Sequence, residues 1–252
     1  MMDCGHGILQ VECVWEHSGD DTLLYACSHP GAFARGASLA EALSKMPREI
    51  ALYNRWRGHD PGVPVSVRIV QEKQSALDIR DADSDVLFDT ERGALSAEEY
   101  ASLKALALKS AQDFHALYAS MPDVRLSVLP ERTTFYGRVP RTAEEMYRHT
   151  KGVNTYYFGE IGVDTDDEGS ILSCRERGFE ALEKKPGYRC ARVVDGSYGE
   201  QWSLRKVLRR FLWHDRIHAR AMYRMGVATF GAHAIADPFG FDGNQAQPQS
   251  AE

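Results

Sequence analysis

Hydrophobic residues follow two different periods along this chain, and the change comes about a third of the way in. Before it, apolar positions fall in short β-branched and aromatic runs. Residues 8–16 (ILQVECVWE) and 22–28 (TLLYACS) predict two strands, and the polar stretch 17–21 (HSGDD) between them has hairpin-loop chemistry. A helix follows. Ser38 and Glu41 have the spacing of a capping box, and Leu39, Ala42, Leu43, Met46, Ile50, Tyr53 and Trp56 recur at helical spacing. Pro47 lies inside this pattern and is expected to kink or divide the helix, and Gly58 to end it. Residues 63–70 (VPVSVRIV) alternate again, predicting a third strand with one buried face. Residues 8–71 therefore read β-β-α-β.

From residue 96 the period is helical. Capping-box pairs stand at Ser96/Glu99, Thr142/Glu145 and Ser173/Glu176, each opening an amphipathic run. A last and longest helix spans residues 202–231. Four such helices predict a four-helix bundle. The expected fold class is α+β, a small N-terminal β-β-α-β domain followed by an all-α bundle. The expected division is a domain over 1–72, an acidic linker over 73–95, the bundle over 96–232 and a flexible tail over 233–252. Asp78, Asp81, Asp83, Asp85 and Asp89 crowd the linker, but the Gly and Glu of an EF-hand loop are not in register. A solvated linker is the expectation.

Composition changes this picture little. Hydrophobic residues at 43% and charged residues at 26% are ordinary for a soluble globular chain. A net charge of −6 argues against a broad nucleic-acid surface. The basic run Arg205–Arg210 (RKVLRR) is interleaved with apolar residues and reads as a solvated helix face. No apolar run is long enough for a membrane span and no secretory signal is visible, so a cytoplasmic location is expected. Five scattered cysteines form no CxxC and read as reduced thiols. Cys174, near a helix start, is the one with a route to a lowered pKa, although inert packing is the expectation.

Candidate chemistry lies on the last helix. His214 and His218 are four residues apart, hence on one face, and they continue the apolar row Leu204, Val207, Leu208, Phe211. His149 interrupts the row Met146, Val153, Tyr156/Tyr157, Glu160 on the second bundle helix. A single core histidine is ordinarily just hydrogen-bonded. Three converging imidazoles are better explained by a metal, because coordination removes the penalty of burying unpaired polar groups. Three nitrogens leave an open position on an ion such as Zn²⁺. That ion could acidify a bound water toward pH ~7, for hydrolysis, or bind a thiolate, for thiol transfer. Asn154, Tyr156, Tyr157 and Glu160 could line the same cavity, although packing aromatics and a solvated carboxylate are the expectation; Asp215 is expected to face away from the ion, with a hydrogen bond to another histidine as the alternative. The other histidines are not assigned as ligands; His115 is the one whose helix also lines the bundle.

Two resemblances accompany these residues. Gly31, Ala34, Gly36, Ser38, Glu41 and Ala42, in the step from strand to helix, resemble the HicB-like antitoxin fold over about 60 residues. That family implies partner recognition, but the DNA-binding segment it usually carries is not visible here. RHTKGVNTYYFGEIG, followed some fifty residues later by WSLRKVLRRFLWHDRIHARAMYRMG, resembles the DinB-like superfamily of metal-dependent bundles over residues 96–231. That resemblance implies a divalent metal, Zn²⁺ or Ni²⁺, on His149, His214 and His218. It also implies a small-molecule substrate, and a low-molecular-weight thiol is a candidate co-substrate. A homodimer is a candidate assembly. A non-enzymatic protein-binding module with a structural metal or none is the competing expectation.

Overall fold

The alternating N-terminal runs form one four-stranded sheet, ordered β3-β2-β1-β4. The computed structural model describes residues 8–59, 64–134 and 137–242. Strands β1 (Leu9–Ser18) and β2 (Asp21–Ala26) are antiparallel, with Ser18 opposite Asp21. The turn is therefore only Gly19-Asp20, tighter than the expected loop, and Gly19 supplies the positive φ (+58°) that such a hairpin needs. Strand β3 (Phe33–Gly36) pairs antiparallel with β2. Its four residues are too few to show an alternation, which is why the sequence does not announce it.

Helix α1 (Leu39–Trp56) starts where Ser38 Oγ accepts the Glu41 N–H at 3.2 Å. It runs unbroken through Pro47, contrary to the expected division, because Met46, Ile50, Tyr53 and Trp56 bury its apolar stripe on both sides of the proline. Strand β4 (Val65–Gln74) then lies parallel to β1 at the sheet edge. It ends four residues later than expected and buries no residue fully; Ile69 and Val70 are exposed. An edge strand has only one neighbour to cover it, so its alternation overstates its burial. Val63 lies outside the described residues.

Four helices follow: α2 (Ala97–Ala119), α3 (Ala143–Glu160), α4 (Ile171–Glu183) and α5 (Leu204–Phe230). Complete capping boxes open α2 at Ser96/Glu99 and α3 at Thr142/Glu145. Helix α4 starts three residues earlier than expected. Its N-cap is Ser170, whose Oγ accepts the Ser173 N–H at 3.1 Å, and buried Ile171 draws the extra turn into the core. Helices α2 and α3 each pack against α4 and α5.

Helix α5 is the axis of the molecule. Val207, Leu208 and Phe211 pack with Phe158 and Phe179 of α3 and α4. Trp213 packs on the far side, with Val14, Leu23, Tyr25 and Phe33 of the sheet. A third apolar cluster is continuous from Cys13, Leu24 and Tyr53 to Phe114, Met222 and Met225. The two expected units thus share buried surface. Gly31 permits the close approach: at φ +91° it lies so near α5 that an added Cβ would stand 2.6 Å from Leu212 Cβ.

Three stretches depart from their expected solvation. The acidic stretch 73–95 is not a solvated linker, since Ile79, Val86, Phe88 and Glu91 are buried. The basic run of α5 is not a solvated face. Lys206, Arg209 and Arg210 are buried, and their charges meet acids: Glu200, just before the helix, faces Lys206 and Arg210, and Glu91, far away in sequence, faces Arg209. Lys206 pairs with Glu200 at 2.8 Å, and Arg209 forks onto Glu91 while its guanidinium lies 3.9 Å from the Phe88 ring centre. About two turns further on, fully buried Arg216 donates to Glu49 of α1 at 2.8 Å, and Arg220 pairs with the other oxygen of that carboxylate. Burial pulls the Lys206 pKa down to about 8 against the opposing effect of Glu200. The expected flexible tail also folds back at its start. Phe239 is fully buried and stacks on Trp56 at 5.4 Å. Residues 243–252 lie outside the described residues. Among the described residues no helix is long and apolar enough to cross a membrane.

Candidate metal centre

The 27-residue α5 carries His214 and His218 one turn apart, and their ring centres are 4.4 Å from each other. Phe211 and Val207, just before them on the same row, are buried against α3, which fixes the direction of the histidine face. Helix α3 brings His149 to that face. Its ring centre is 5.1 Å from that of His214 and 4.6 Å from that of His218. One nitrogen of each residue lies within 4.8 Å of the others. Among the described residues this is the group of His, Cys, Asp or Glu side chains that could hold an ion.

The three residues differ in exposure. His214 is buried, His218 half-buried and His149 exposed. The expectation that all three point into the interior is corrected for His149. The buried side of α3 is Ala143, Met146, Thr150, Asn154, Tyr157 and Phe158. At 100° per residue, His149 sits at the rim of that face. The cluster therefore opens from the core toward solvent.

The donor set fits a divalent ion. Imidazole nitrogens suit Zn²⁺ and Ni²⁺. Zn–N bonds of about 2.0–2.1 Å place tetrahedral ligands ~3.4 Å apart, so small side-chain rotations close the observed spread. His214 Nδ1 is buried without a hydrogen-bond partner among the described residues. Such an atom is costly to leave unmet. Burial holds the His214 pKa well below its usual value, and nearby His218 and His149 add to the shift. Burial, with His149 second, pulls His218 down to about 3. His149 is lowered by desolvation of its ring. Neutral imidazoles at neutral pH are the form a metal requires.

The remaining candidates separate. Tyr157 is buried and meets the His214 ring edge-on at 6.0 Å. Tyr156 and Glu160 lie further along α3 beside a cavity of about 460 Å³, where Glu160 accepts the Ser197 N–H at 2.7 Å. Asn154 faces inward and is fully buried. Asp215 does not serve a histidine. It is fully buried and forms a two-pronged ion pair with Arg175 of α4, at 2.5 and 3.0 Å. No sequence pattern marks Arg175 as the buried partner of Asp215. Cys174 is buried, donates to the Glu168 carbonyl at 3.1 Å, and has its pKa raised by burial, so the helix start does not activate it. His115 binds the Tyr147 hydroxyl at 3.0 Å, apart from the cluster. Cys13, Cys27, Cys174 and Cys190 are free thiols; Cys4 and His6 lie outside the described residues.

Comparison with family models, curated proteins and solved structures finds no match to this chain.

Proposed function

We propose that this chain is a metal-dependent enzyme acting on a small molecule, with a divalent ion held by His149, His214 and His218. The observation that carries this reading is the graded exposure of the three donors. A structural ion is closed off by four protein ligands, whereas a catalytic one keeps a position free. Here the group has three donors among the described residues, and its third member stands at the surface. The proposal includes a DinB-like four-helix bundle for α2–α5, with the ligands on its second and fourth helices, and a HicB-like N-terminal unit packed on α5. Its support is the pairing of α2 and α3 with α4 and α5 and the β-β-α-β order with one further strand.

When bound, the ion supplies Lewis acidity, suited to hydrolysis or to transfer of a low-molecular-weight thiol. The chain's own part is to hold three neutral imidazoles, to wall the inner side with Tyr157 and Phe211, and to leave the His149 side open to substrate. A binding module with a purely structural ion is the competing reading, and it requires a closed site. Co²⁺-loaded protein distinguishes them. Titration with azide is expected to shift the visible d–d absorption, because the anion enters the free position. A spectrum that azide leaves unchanged contradicts the enzyme reading.

A further inference from the structure

One side chain is bonded to both ligand-bearing helices. Arg175 of α4 is fully buried, and its donors are distributed over three helices. Nε donates to Asn154 Oδ1 on α3 at 2.9 Å. Nη1 and Nη2 fork onto Asp215 of α5 at 2.5 and 3.0 Å. Nη1 also donates to the Ala107 carbonyl on α2 at 3.0 Å. The guanidinium lies 4.3 Å from the ring centre of Phe211. Asp215 adjoins His214 in sequence, and Phe211 precedes it by three residues. Asn154 follows His149 by five residues, ~7.5 Å along the helix axis. Asn154 is itself fixed, since its Nδ2 donates to the Lys151 carbonyl at 2.7 Å.

We infer that Arg175 is a positioning residue of the metal centre: it sets the distance between α3 and α5, and thereby the spacing of His149 from His214 and His218. The inference rests on the three-histidine metal reading. Arginine is required because a planar fork can meet a carboxylate with one edge while Nε remains free for a second acceptor. Lysine has one nitrogen and cannot reproduce the span. His149 is the most exposed of the three donors, so its place depends on how α3 is held against α5.

The test separates ligand spacing from stability. Zn²⁺ affinity is measured by chelator competition in wild type, Asn154→Leu, Arg175→Lys and Arg175→Met, at a temperature where each is folded by circular dichroism. Co²⁺ spectra are recorded alongside. Asn154→Leu cuts the α3 arm, along with the bond of Asn154 to the Lys151 carbonyl on its own helix, and keeps the Arg175–Asp215 pair, so it remains informative where Arg175→Met does not fold. Zn²⁺ affinity is expected to fall about 10–100-fold in Asn154→Leu, the range typical of outer-shell changes. Arg175→Lys is expected to lose as much despite keeping its charge, and the Co²⁺ band to shift in both. Wild-type affinity and an unshifted band in folded Asn154→Leu and Arg175→Lys overturn the inference alone. A wild-type chain that binds neither Zn²⁺ nor Co²⁺ overturns the metal reading and this inference with it.

Discussion

Glu49→Ala is expected to destabilise the protein by about 3–5 kcal/mol, the cost of stranding a buried charge when its partner is removed. Glu49 is almost wholly buried and is the acid facing both Arg216 and Arg220. Arg216 is fully buried, with its guanidinium 5.1 Å from the Tyr53 ring centre and 5.2 Å from that of Trp56, so water cannot replace the lost carboxylate. For a chain of this size each kcal/mol moves the melting temperature by roughly 2–4 °C, and thermal unfolding followed by circular dichroism reads the loss. The same change joined to Arg216→Met and Arg220→Met is expected to recover much of it, since a buried ion pair is close to neutral against apolar residues of similar volume. A single Glu49→Ala variant that melts with the wild type contradicts the burial of this pair.

Acid is expected to destabilise the metal-free protein through its histidines. In the unfolded chain each imidazole has an ordinary pKa near 6.5. In the folded chain burial keeps His218 unprotonated down to about 3 and His214 unprotonated well below 6.5. Above pH 6.5 both states are neutral and neither residue contributes. Below it the unfolded state takes up protons that the folded state refuses, so stability falls as pH falls. Each buried histidine contributes a slope of roughly 1.4 kcal/mol per pH unit. Urea unfolding of metal-free protein between pH 7 and 5 is expected to show stability falling ever more steeply toward that slope below pH 6.5, and falling less steeply in His218→Leu. Equal slopes in variant and wild type contradict the assignment of His218 as a base held neutral in the folded chain.

The sequence was informative where a local rule decides the structure. Ser96, Thr142 and Ser38 announced their helices because a capping hydroxyl acts within three residues. The His214/His218 pair was legible because one helix sets its spacing. His149 was legible as a member of the site, but its place at the rim was not, since a row on a helix does not say how much of it a neighbour covers. The buried cations were the least legible. Arg209 meets Glu91 across 118 residues, so the run 205–210 reads as solvated until the tertiary contacts are known, and Arg216 meets Glu49 across 167. Arg175 belongs to the same class. The stretch 73–95 misled for a related reason: its aspartates are conspicuous, while Ile79, Val86 and Phe88 between them bury it.

The binding of one divalent ion by His149, His214 and His218 is tested by metal content after loading with Zn²⁺ and gel filtration, in wild type, His214→Ala and His149→Ala. His149 lies at the surface and its variant is expected to fold normally. About one ion per wild-type chain is expected, as one three-nitrogen site holds one ion, and loss of that ion in both variants. A folded wild-type chain that retains no Zn²⁺, or variants that retain as much as the wild type, contradicts that binding.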